Sequence, residues 1–141
     1  MSAWMWPTVR SISWAPLAGV AACLGGFVAL VTDDQLTSSI TGIAAATVAA
    51  AVVAGTHDPA ADLLAASPTS ALVRLLRRLL FLGPAGLGVW VATIGGALLG
   101  LLVLAVVGVA VSTRAGVTAG VVVPLAWTVL AWATGLDWEL R

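Results

Sequence analysis

The chain has 141 residues, 61% of them hydrophobic and only 9% charged, and its six arginines are matched by six acids with no lysine. Soluble domains carry about a quarter charged residues, so no water-soluble domain of useful size can be carved from it, and a formal net charge of zero leaves no concentrated basic face for nucleic acid. A single cysteine excludes an internal disulfide and a cysteine metal cluster.

The charges divide the chain into membrane-length pieces. Between Arg10 and Asp33, Asp34 and His57, Arg78 and Arg114, and Arg114 and Asp137 there is no ionisable side chain except Cys23. Each interval reaches the roughly 20 residues that carry a helix across about 30 Å of hydrocarbon. The expected fold is therefore all-α, a polytopic membrane helix bundle forming one domain over residues 1–141. It has four spans and a cytoplasmic amphipathic helix between the second and third.

The first span covers about 14–31. Its Val20-Ala21-Ala22-Cys23 has the form of a lipoprotein processing site, but Leu24 to Val31 stays apolar where a processed chain would turn polar. Cys23 is accordingly expected as a small buried residue within a span. Asp33 and Asp34 form a short external turn, and the second span follows over about 36–55. There Gly42, Ala46, Ala50 and Ala54 recur every fourth residue, a smooth face on which another helix can approach closely.

From His57 to Leu82 the pattern changes. Asp58 is a helix cap, Pro59 can open a short helix and Pro68 interrupts it. Over about 69–82, Leu72, Leu75, Leu76, Leu79 and Leu80 repeat at helical spacing while Arg74, Arg77 and Arg78 occupy another arc, the pattern of a helix lying at a membrane surface. The uncharged stretch beyond Arg78 has about 35 residues, roughly 50 Å as one helix and too long for one upright span. Gly83-Pro84-Ala85-Gly86 supplies the expected break. A third span then covers about 87–111, with Gly88, Ala92, Gly96 and Gly100 as its packing stripe. The fourth covers about 117–133, with Pro124 near its middle as a candidate hinge. Most of the seven tryptophans flank spans and read as interfacial anchors, with Trp90 in the same belt.

In this four-span arrangement Arg10, Arg74, Arg77, Arg78 and Arg141 fall on one side and only Arg114 on the other, so both termini are expected in the cytoplasm. The bias towards Ala, Val, Gly, Leu and Arg points to a bacterial, GC-rich genome and hence to a bacterial inner membrane.

Enzymatic chemistry is not expected. The chain has one histidine and no tyrosine or lysine, and His57, Asp58 and Asp62 read as a capped helix start rather than a catalytic set. No cofactor or metal is implied. Ion-coupled carriers hold an ionisable group within the membrane. Small four-helix multidrug antiporters need a carboxylate in the first span, where this chain has Gly19, Val20, Ala21 and Ala22. Any driving force must come from a partner.

The run from His57 to Leu82, HDPAADLLAASPTSALVRLLRRLLFL, resembles a cytoplasmic loop of actinobacterial membrane proteins of the ABC-exporter type. That resemblance implies an export permease docked on a separate cytoplasmic ATPase, with Pro59 to Ala66 and Asp58, Asp62, Arg74, Arg77 and Arg78 as the docking candidates. Such permeases carry more spans than four, so the chain reads as a short member or one half of a split permease. Two other readings need only the lipid bilayer and helix packing: a structural or accessory subunit within a homo-oligomer or a larger membrane complex, and a small holin-like pore-former.

Overall fold

The computed structural model describes residues 9–10, 12–31, 34–57, 70–95 and 98–134. Five helices follow one another between residues 15 and 134 among the described residues: α1 (Ala15–Leu30), α2 (Asp34–Gly55), α3 (Ala71–Thr93), α4 (Leu98–Ala115) and α5 (Val117–Thr134). The all-α expectation holds. Three of these helices, α3, α4 and α5, are long and apolar enough to cross a membrane, and α1 and the stretch Ile40–Gly55 of α2 are shorter apolar helices.

The helix bounds differ from those read from sequence at the surface helix and the third span. Gly83, Pro84 and Gly86 do not end a helix; α3 runs through them without interruption. A proline inside a helix removes one hydrogen bond and kinks the chain without having to end it. The glycines, meanwhile, serve packing. A Cβ on Gly86 would lie 2.7 Å from Cγ2 of Val52, so the missing side chain is what lets α3 lie against α2.

The break comes instead at Gly95, which has φ 74°, with the amides of Ile94 and Gly95 both donating to the carbonyl of Trp90. This is the glycine-terminated helix end, in a conformation that costs other residues dearly. The expected surface helix and the first part of the expected third span are thus one element, and the rest of that span is a separate helix, α4. A second left-handed glycine, Gly116 with φ 88°, is the whole connection between α4 and α5.

Successive helices are antiparallel, and α2 is the centre, packed against all four others. Ser13 meets Gly55, while Leu17 joins Ala51, Val52 and Leu82, so α1 descends against α2. Gly55 faces Leu82 and Gly86 faces Val52 and Val48, which reverses α3 on α2. On the other side Leu101 and Leu104 join Ala44, Ala45 and Ala49 of α2, and Gly108 faces Val53, so α4 runs parallel to α2. Gly108 also meets Gly120 and Pro124 of α5.

Two faces are turned differently from the sequence expectation. Trp90 is fully buried among the α2 alanines rather than in an interfacial belt. Alanine at 44, 45, 46 and 49 leaves the volume that an indole ring fills. Cys23 is exposed, because α1 packs through Leu17, Val20 and Leu24. Trp14, Trp127 and Trp132 are outward-facing, the last 83% exposed.

Replacing Gly86 by Ala should destabilise the bundle by about 1–3 kcal/mol through overpacking. Val52→Ala in the same chain should recover most of that loss in thermal unfolding in mild detergent. Additive losses from the two changes would show that Gly86 does not set the α2–α3 distance.

Candidate functional site

The described arginines of the bundle collect at one end. Because helices alternate in direction, the start of α1, the end of α2, the start of α3 and the α4–α5 turn come to the same level, and Arg10, Arg74, Arg77, Arg78 and Arg114 come with them. Arg114 lies at the same end as the other described arginines, not opposite them. The extra break at Gly95 adds a helix between Arg78 and Arg114, and that reverses the side on which Arg114 falls.

Arg78 is the organising residue. It is only 6% exposed, and its Nη1 donates to the carbonyl of Thr56 at 3.1 Å and to that of His57 at 2.7 Å. Both carbonyls belong to the end of α2, where helices present unpaired acceptors and a partial negative charge. The amides of Thr56 and His57 fold back to Val53 and Ala54, and the Thr56 hydroxyl donates to the Val53 carbonyl at 2.6 Å. The end of α2 is thereby closed, and a buried cation from α3 closes it.

α3 begins where Ser70 accepts a hydrogen bond from the Val73 amide through its Oγ, an N-cap. With Leu82 level with Gly55, the first turns of α3 extend past the end of α2. A groove of about 370 Å³ opens between those turns and the α4–α5 turn, lined by Leu72, Arg74, Leu75, Arg78, Thr113 and Val117 among others.

Four hydroxyls of the bundle are satisfied within their own helices. Thr47 donates to Ala44, Thr93 to Val89, Ser112 to Val109 and Thr128 to Leu125, at 2.7 to 2.9 Å. Among the described residues no buried side-chain nitrogen or oxygen lacks a partner, and no group of three His, Cys, Asp or Glu residues stands together to hold a metal ion.

Of the docking candidates, Arg74 lines the groove, Arg77 is half-buried one helical turn beyond it, and Arg78 is a structural clasp. Asp58, Asp62 and the segment Pro59 to Ala66 lie outside the described residues. Of the packing candidates, Ala46, Ala50 and Gly100 are buried and Gly42 is half-buried. Gly88 and Ala92 lie on the exposed side of α3, whose inward face is Arg78, Leu82, Gly86 and Trp90, and Gly96 lies outside the described residues. Pro124 is fully buried against Gly108. Sequence reasoning passed over Gly95 and Gly108, and it read Gly116 as a small packing residue where the structure uses it as a left-handed turn. Gly95-Gly96 carried a legible signal as a pair of adjacent glycines, a common breaker.

No protein-family model, curated protein or solved structure matches this chain.

Arg78→Ala should lower stability by roughly 1.5–3 kcal/mol, the range for hydrogen bonds to a charged group. Arg78→Lys should recover only part of it, since an ammonium cannot copy the planar fork. Thermal unfolding of the two variants in detergent measures the difference, and equal midpoints for Arg78→Ala and the parent would refute the clasp.

Proposed function

We propose that this chain is a membrane-spanning subunit of a transporter in a bacterial cytoplasmic membrane, of the export-permease type that its loop resembles, driven by a separate cytoplasmic ATPase. The observation that carries this reading is the convergence of Arg10, Arg74, Arg77, Arg78 and Arg114 on one end of an otherwise apolar bundle. Basic residues remain on the cytoplasmic side of bacterial membranes, so that end is the one a cytoplasmic partner meets.

This reading takes all five helices as crossings with that end inside, which puts the start of α1 in the cytoplasm and the end of α5 outside; the four-span alternative keeps both termini in the cytoplasm. A phosphatase reporter fused after Gly116 should be inactive and one fused after Thr134 active. The opposite pattern would restore the four-span topology.

The projecting turns of α3 are the element a partner can move, and Arg78 transmits that movement to α2. Such coupling works only if the partner contacts α3 differently in its two nucleotide states. Arg74→Glu combined with Arg77→Glu, which spares the Arg78 clasp, should abolish co-purification of an ATPase without lowering the yield of folded protein.

A structural or accessory role is the second reading. It is favoured by the hydroxyls of Thr47, Thr93, Ser112 and Thr128, which donate to their own helices. The outward face of α1, with Ala15, Ala18, Gly19, Ala22 and Gly26, suits close contact with another membrane subunit or a second copy. Recovery of membrane subunits alone, with no ATPase, would select this role. Membrane leakage on expression of the single chain would select the pore-former.

A further inference from the structure

The apolar helices of this bundle are short. α1 has 16 residues, the apolar part of α2 runs only from Ile40 to Gly55, and α4 and α5 have 18 residues each. At about 1.5 Å per residue these lengths come to about 24 to 27 Å, against roughly 30 Å for a typical hydrocarbon layer. α3 is longer, with 23 residues, but Arg74, Arg77 and Arg78 stand in its opening turns and its uncharged part begins at Leu79.

The ends are also fixed. Val31 is extended and stops α1, Arg78 closes the end of α2 at Thr56 and His57, and left-handed glycines stop α3 and α4. Arg114 stands in the last turn of α4. Nor is α1 a fragment that dips in beside the others. Ser13 meets Gly55, Leu17 packs with Ala51 and Val52, and Val20 and Leu24 lie against the cluster that holds Ala44 and Ala45, so α1 follows α2 over its apolar length.

The outward tryptophans give a second, independent measure. Gly120 is level with Gly108, which faces Val53, two residues from the Gly55 that meets Ser13. Trp132 lies 12 residues beyond Gly120 on α5, which puts Trp14 and Trp132 about 20 Å apart along the bundle. Both are exposed, and tryptophan settles at the two faces of a bilayer. Trp14 already donates its indole N–H to the carbonyl of Val9 at 3.0 Å, the satisfied polar tip such a position requires.

We propose that the lipid surface this bundle fits is a bilayer with a hydrocarbon layer of about 24 Å, as short acyl chains make it, and that in a thicker membrane the chain draws the two leaflets together around itself. Tilting accommodates a helix that is too long. One that is too short leaves its polar ends in hydrocarbon unless the layer thins. The proposal rests on the reading of the helices as crossings, which the reporter fusions after Gly116 and Thr134 test on their own.

The experiment is reconstitution of the full chain in phosphatidylcholine bilayers whose monounsaturated chains have fourteen, eighteen or twenty-two carbons. Thermal unfolding is followed by circular dichroism, and acyl-chain order by deuterium magnetic resonance of chain-deuterated lipid. The unfolding midpoint should be highest with fourteen carbons and fall by several degrees at each step. The protein should lower the chain order of the eighteen-carbon bilayer and leave that of the fourteen-carbon bilayer unchanged. Trp132→Leu removes the outer anchor and should flatten the dependence on chain length, whereas Trp127→Leu, near the middle of α5, should not.

A midpoint that peaks at eighteen or twenty-two carbons, or that ignores chain length, overturns the proposal. So does an unchanged or raised chain order in the eighteen-carbon bilayer, or equal flattening by Trp127→Leu. A cytoplasmic Thr134 fusion defeats the five-crossing reading instead, so the two failures are told apart.

Discussion

α2 is the constraint on which the rest of the structure depends. It packs against every other helix, and its buried residues Ala44, Ala45, Ala46, Val48, Ala49 and Val53 are all nearly inaccessible. In lipid there is little hydrophobic drive between helices, so association rests on close van der Waals contact and on how near the backbones can come. A central helix of small residues therefore sets the spacing of the whole bundle. Its neighbours answer in kind: Gly86 makes room for Val52, Gly108 for Val53, and Trp90 fills the volume the alanines leave.

The same economy of space governs α4 and α5. A Cβ on Gly120 would stand 2.6 Å from the carbonyl oxygen of Gly108, and one on Gly108 would stand 3.0 Å from that of Gly120. The two helices thus cross glycine on glycine. Pro124 supplies no amide for the Gly120 carbonyl to receive, and its ring packs against Gly108. Pro124 is therefore enclosed at a crossing of three helices, a position that restrains the kink it introduces.

Helix ends decide the electrostatics. In a membrane each unsatisfied backbone group is costly, and the described ends are closed by distinct devices: a left-handed glycine after α3 and after α4, and the Arg78 guanidinium at the end of α2. Once Gly95 rather than Gly83 ends a helix, one more reversal stands between Arg78 and Arg114, and Arg114 joins the other described arginines. The groove between α3 and the α4–α5 turn follows from that reversal, since it is made of segments brought to one level by alternating direction.

The sequence alone determined the material and the pieces. Its uncharged intervals required apolar helices, and the bounds of the first, second and last of these were legible because charges or turn residues stand at each end. Of the four-residue stripe read as a packing face, Ala46 and Ala50 are buried and Gly42 and Ala54 half-buried. What tertiary structure decided was the phase and the breaks. Pro84 and Gly83 look like breakers in isolation, yet Gly86 gains more by packing in helical register against Val52 than the chain loses at one proline. Gly88 and Ala92 repeat as regularly as any packing stripe, but only the neighbour's position determines which face of α3 is inward. The clasp of Arg78 was unreadable for the same reason: its acceptors are backbone carbonyls more than twenty residues away, and a carbonyl leaves no mark in the letters.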